Sequence, residues 1–287
     1  MKMRKILHKV VLIAMMSALC CAGTFIQIKM PAGDMVHLGN FVMILAALLL
    51  GGIAGGITGS LGMGVYDLIF YASKPSTILR TFILKFIIGF TVGYLFRLIL
   101  KKKVNTKVLL SIFTVVFTVI SIIFVVLFIF GDKSNFGFNN GLSATYTNIF
   151  NSKSSFKVSL YIPIFLFLFA LVSLIVVLFS KKLSKRNLAA LVAISIAIYI
   201  NIIGEFGLRW LLEGLMVSDF DTSLVVATSK IPGSIITGFV SVVLSILIYE
   251  PLYFALKQST LLDDDTVYVE DEKEKEEKKQ VLSTETK

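Results

Sequence analysis

Between Lys9 and Leu256 the chain is a succession of apolar runs, most about twenty residues long, separated by short polar connections. A helix needs about 20 apolar residues to cross a hydrocarbon core of ~30 Å. Runs of that length could not be hidden inside a water-soluble domain of 287 residues, and the charged fraction of 16% is well under the roughly 25% of soluble proteins. The solvent for most of the chain is therefore lipid. Within a bilayer each backbone polar group must be satisfied internally, so the expected class is an all-α, polytopic transmembrane bundle.

Reading the runs in order predicts about eight spans: 9–30, 38–50, 52–72, 77–100, 108–130, 159–180, 188–215 and 232–256. The second is short, and the Gly51–Gly52 step into the third is tight, so a tilted or re-entrant pair is an alternative there. The positive start and following apolar run resemble a signal peptide. The run is too long, however, and lacks a small-residue cleavage site, so it reads as a retained span.

Charge fixes an orientation. Lys and Arg accumulate on the cytoplasmic side of membrane proteins. Alternate connections here hold 19 of the 28 basic residues, so both termini are expected in the cytoplasm of a cell that carries the protein in its plasma membrane. Gly131–Lys157 reads as an external loop. The end of the chain is acidic, with ten carboxylates and five basic groups over 263–287, and too poor in apolar residues to order itself. The expected divisions are 1–104, with four spans; 105–187, with two more around an external loop at 131–158; 188–257, with the last two; and a charged tail at 258–287.

Several functions are excluded by what is missing. The adjacent Cys20 and Cys21 lie in an apolar run, where they form neither a disulfide framework nor a metal site, and no cofactor is expected. The only histidines are His8 and His37, without the H-E-x-x-H spacing of a membrane zinc protease, and no G-x-S-x-G elbow occurs. The glycines at 51, 52, 55, 56, 59, 62 and 64 lack the Lys-Ser or Lys-Thr ending of a phosphate-binding loop, and their spacing suits close helix packing. The basic excess belongs to membrane orientation, not to nucleic acid.

Function must then come from polar groups at membrane depth. An ionisable group in hydrocarbon costs at least ~2.5–3.5 kcal/mol, so it should face the bundle interior, a partner charge or water. Asp67, Lys85, Glu205, Arg209 and Glu213 qualify. Asp67 and Lys85 are read either as a structural ion pair or as ligand contacts, and Arg209 and Glu213 are spaced to pair. Trp210 offers a ring that could stack on a flat ligand or sit in an interfacial belt. The connection 27–40, with His37 and Asn40, would lie at the outer mouth. Ala14, Ala18 and Ala22 recur every four residues on the first helix, a stripe that lets another helix approach closely.

Taken together, the run from Ile28 to Asp67, with His37-Leu38-Gly39-Asn40, the Gly-rich turn and Tyr66-Asp67, resembles the S components of energy-coupling factor (ECF) transporters, most specifically the riboflavin-type group. Ala14-x3-Ala18 is similar to that family's first-helix docking motif. The likeness is good over 9–100 and weaker over 190–256, where Lys230-Ile231-Pro232-Gly233 opens a helix like the family's last span. The family's pattern is six spans, so 105–185 reads as an inserted pair. The resemblance implies a substrate-binding subunit that takes a vitamin, riboflavin or a relative, under the first external loop. It would then dock on an energising transmembrane subunit with two ATPases. His37, Asn40, Tyr66 and Asp67 fall on motif positions; Lys85, Glu205, Arg209 and Trp210 are chosen by depth and polarity. The rival readings are a stand-alone secondary transporter and a membrane scaffold or sensor.

Overall fold

The computed structural model describes residues 2–29, 35–101, 185–218 and 220–259, with isolated helical positions between 108 and 122. The elements are α1 (Lys2–Phe25), β1 (Gln27–Lys29), β2 (Met35–His37), α2 (Gly39–Leu50), α3 (Gly52–Phe70), α4 (Pro75–Lys101), α5 (Lys185–Met216), α6 (Phe220–Ser229) and α7 (Ile231–Gln258). Among the described residues, five helices are long and apolar enough to cross a membrane, and α2 is a shorter apolar sixth. The expected spans 108–130 and 159–180, the loop between them and the tail lie essentially outside the described residues, so the total of eight is not established.

One expectation needs correction. The connection 27–40 is not simply a loop in an all-helical chain: β1 and β2 pair antiparallel, with Gln27 opposite His37 and Lys29 opposite Met35. Three-residue strands with Pro31 and Gly33 between them leave too little alternation for sequence patterning to register.

At 12 residues, α2 is about 18 Å long, short of a bilayer core. It tolerates this because it is not a lipid-facing span. Every residue from Gly39 to Leu50 except Phe41 is buried, wrapped by α1, α3, α4 and α7. Its C-terminal end turns at Gly51, whose φ of 100° lies where a side chain would be strained. Arg97 reaches from α4 to donate to the Leu50 carbonyl at 3.0 Å, satisfying an acceptor that the helix end leaves open.

The glycines of α3 bring its neighbours to backbone distance. A Cβ on Gly56 would stand 2.9 Å from the Phe86 carbonyl oxygen of α4, and one on Gly62 would stand 2.8 Å from the Ser17 carbonyl oxygen of α1. Gly89 and Gly93 of α4 lie against the backbone of Gly55 and Gly52 in return. Without a hydrophobic driving force between helices in lipid, such close packing is what holds α1, α3 and α4 together.

Burial divides the bundle along its axis. Toward the Lys101 end, Ile88, Val92, Phe96 and Ile99 of α4 meet Ala189, Val192, Ala193 and Ile194 of α5 in a dry apolar core. Toward the Pro75 end, the same two helices turn polar, and the hairpin lies over that end. Gly89→Leu would drive a branched side chain into the Gly55 backbone. Overpacking of this kind costs ~1–3 kcal/mol or more, and the variant is expected to melt lower in a detergent thermal-shift assay, whereas Ile87→Leu on the exposed face of α4 should not.

Candidate functional site

The polar half of the bundle encloses a cavity of about 360 Å³, near the lower end of the ~300–1,000 Å³ of small-molecule sites. The hairpin and five of the helices supply the residues that matter most. The hairpin supplies Met35 and His37; α2 and α3 supply Asn40, Met63, Tyr66 and Asp67; α4 supplies Ser76, Thr77, Arg80, Thr81 and Lys85. Asn201, Glu205, Arg209 and Glu213 recur every four residues on α5, so one face of that helix carries all of them into the cavity. Ser234 and Thr237 of α7, with Lys230 just before it, close the far side.

Glu205 is the centre of its electrostatics. One carboxylate oxygen receives the Lys85 ammonium at 3.1 Å; the other lies 3.1 Å from Arg80 Nε and 3.5 Å from Arg209 Nη2. Arg209 also reaches Glu213 at 3.4 Å, with Arg80 3.9 Å from the same oxygen. Lys85, only 4% exposed, donates a second bond to Asn201 Oδ1 at 2.8 Å. Burying an ammonium is tolerable only with such complete partnering.

Of the two readings left open for Asp67 and Lys85, the structural ion pair does not form among the described residues. Lys85 is drawn across to α5, and Asp67 instead accepts a bond from the Thr81 hydroxyl, four residues earlier on α4. Asn40 is 5% exposed, and its Oδ1 has no hydrogen-bond partner among the described residues. Tyr66 is buried under a ring cluster with Phe25 (5.1 Å) and Phe70 (4.7 Å), and its hydroxyl accepts from Gln27 Nε2 at 2.8 Å, which ties β1 to α3.

His37 serves the start of α2. Its Nδ1 accepts the Gly39 N–H at 3.2 Å, one of the donors that a helix N-terminus leaves open. Burial, reinforced by the Lys85 charge, pushes the imidazole from 6.5 down to about 4.

Of the residues chosen from sequence, His37, Asn40, Tyr66, Asp67, Lys85, Glu205 and Arg209 line this one cavity. Trp210 is not among its lining. The ring is 39% exposed, and its Nε1 donates to the Phe220 carbonyl at 3.1 Å, an attachment for α6. Sequence reasoning missed Arg80 and Asn201. Arg80 falls inside the expected span 77–100 but within a turn of its outer end, where a basic residue reads as part of the external connection; the four-residue spacing of Asn201 from Glu205 was the signal available for the second. Among the described residues no cluster of His, Cys, Asp or Glu could hold a metal.

A bundle of apolar helices, with charges gathered in a cavity at one end of it, defines a multi-pass helical membrane protein built around an intramembrane polar site. The family model for the ECF-type riboflavin transporter, S component, matches residues 5–158, more than half the chain. The chain belongs to that family, and so to the vitamin-binding subunits of transporters, which are not an enzyme family. The match runs through 105–158, into the stretch read above as inserted, and stops short of α5 to α7. No curated protein and no solved structure matches the chain.

Two outcomes follow from this geometry. Glu205→Gln replaces the carboxylate that Lys85, Arg80 and Arg209 share with a neutral amide. Breaking a buried pair costs ~3–5 kcal/mol; Glu205 retains some exposure to the cavity, so a smaller but clear drop in detergent melting temperature is expected, with Glu250→Gln as the comparison. For His37 the folded pKa is depressed, so its neutral form costs nothing above pH 6.5. The unfolded chain takes up the proton first as pH falls, and stability is lost between 6.5 and about 4. His37→Asn should flatten that part of the melting-temperature profile.

Proposed function

We propose that this chain is the substrate-binding subunit of an ECF importer, taking riboflavin or a related vitamin into the cavity from outside and passing it inward on an ATP-driven partner module. The observation that carries this reading is the convergence of the motif residues His37, Asn40, Tyr66 and Asp67 on a single cavity under the first hairpin. Their side chains supply what a polar heterocycle needs for recognition: an unpaired amide oxygen, a carboxylate and a phenol.

The orientation supports uptake. The ends of α4, α5 and α7 away from the cavity carry Arg97, Lys101, Arg186 and Lys257, the cytoplasmic signature, so the cavity faces outward and both termini inward. Partner docking fits α1. Ala14, Ala18 and Ala22 are all exposed, and Ala18 and Ala22 border a shallow groove with Leu61 and Val65 of α3. Helix approach at an Ala stripe needs no desolvation in lipid, only close fit. Here the stripe meets the energising transmembrane subunit, which carries two ATPases. The plasma membrane is the compartment in which outward capture makes sense.

A pull-down of the tagged chain from its native membranes in mild detergent should recover that subunit and both ATPases. Ala14→Leu combined with Ala18→Leu should lose them while the protein stays monodisperse. A well-folded chain that recovers none of these partners contradicts the importer reading and favours a stand-alone transporter or a scaffold. Asn40→Ala should weaken ligand binding about tenfold and Asp67→Ala more, following the ~1–3 kcal/mol carried by neutral and charge-assisted bonds, with expression unchanged.

A further inference from the structure

The inward charges of the cavity balance in number but are unevenly shared. Arg80, Lys85 and Arg209 face Asp67, Glu205 and Glu213. All three cations lie within 3.5 Å of Glu205, whereas Asp67 makes no ion pair among the described residues. Cations crowded on one acceptor repel one another, so Coulomb's law alone would move one of them to Asp67. Lys85 is placed to go. Thr81, which holds Asp67, lies four residues before Lys85 on α4, so both side chains leave the same face one turn apart.

Two neutral side chains stand against that move. On α5, Asn201 Oδ1 receives the Lys85 ammonium at 2.8 Å, closer than the Glu205 oxygen at 3.1 Å, and keeps it on that side. On α4, the Thr81 hydroxyl donates to Asp67 Oδ2 and fixes the direction of the carboxylate. Thr81 and Asn201 are both buried, where such bonds are stronger than in water. Asp67 is left with Oδ1 unbonded among the described residues, in the wall of the cavity. A carboxylate oxygen in a largely buried group is costly without a donor, and a ligand N–H or O–H supplies one.

Building on the reading of this cavity as the ligand site, we propose that Thr81 and Asn201 are positioning residues that hold Asp67 and Lys85 apart. They thereby keep the second oxygen of Asp67 open to accept an N–H or O–H of the ligand. Their effect on binding runs through Asp67.

The test uses the purified full chain in lipid nanodiscs. A membrane-permeant carbodiimide joins a carboxyl group to an amine only where the two are in contact, and peptide mass spectrometry reads which pair was joined. The wild-type chain should join Lys85 to Glu205 and not to Asp67. Thr81→Val combined with Asn201→Ala should add the Asp67–Lys85 product. Riboflavin, followed by the quenching of its own fluorescence, is the binding probe. Thr81→Val and Asn201→Ala should each weaken it about tenfold, the scale of one bond to a charged group. Thr81→Ser, which keeps the hydroxyl, should bind as the wild type does. In an Asp67→Asn background the two weakening changes should cost less than about twofold, which a purely structural role for either residue would not produce. The proposal is overturned by an Asp67–Lys85 product in the wild-type chain or by its absence from the double variant. Unchanged affinity in Thr81→Val, or full losses that persist without the Asp67 carboxylate, overturns it as well. The vitamin reading fails separately: a wild-type chain that leaves riboflavin free contradicts that reading, and the joined pairs then decide the positioning of Asp67 on their own.

Discussion

The Glu205 carboxylate holds the polar half of this protein together. Three cations from two helices converge on it, at 3.1 Å from Lys85, 3.1 Å from Arg80 and 3.5 Å from Arg209. Without that acceptor, α4 would present two buried positive charges to a bundle interior that cannot solvate them. With it, α4 and α5 are clamped at a separation that leaves a cavity between them. The ionic cluster is thus both the reason the helices stay together at this end and the reason they do not pack to a dry core.

The other half follows the opposite rule. There α4 and α5 meet through Val92, Phe96, Ala189, Val192 and Ala193 in a mainly apolar core. Glycines set how near α1, α3 and α4 come, and the short α2 is carried inside this packing, where a helix of 18 Å needs no match to the bilayer. A rigid apolar end and a charged open end are what a subunit needs if it is to keep its shape while presenting a site at one face. The exposed Ala stripe of α1 runs along the outside of the bundle.

Much of this was legible in the sequence, because membrane helices announce themselves by length and ionisable residues at depth are too costly to be incidental. Glu205, Arg209, Lys85 and Asp67 were found that way, and the motif residues His37, Asn40 and Tyr66 by resemblance. What sequence could not give was pairing. Asp67 and Lys85 lie at similar depth on neighbouring helices, but the better acceptor for Lys85 is on α5, 120 residues away. Arg80 was hidden by its place within a turn of the outer end of the span 77–100, where a basic residue reads as solvated, and Trp210 was favoured for its chemistry although it faces away from its Glu205–Glu213 neighbours by the turn of one residue. The hairpin escaped because strands of three residues carry no periodicity.

The claim on which everything else rests is that the cavity opens to the outside of the cell. Ser234 lines it, and Ser234→Cys changes one atom, so with Cys20 and Cys21 replaced by Ala a membrane-impermeant thiol reagent can report on that site alone. Added to intact cells, the reagent should label Ser234→Cys, while Ser259→Cys at the opposite end of α7 should react only after the membrane is opened. Labelling of Ser259→Cys from outside, with Ser234→Cys silent until lysis, would contradict an outward-facing site and with it the direction of uptake.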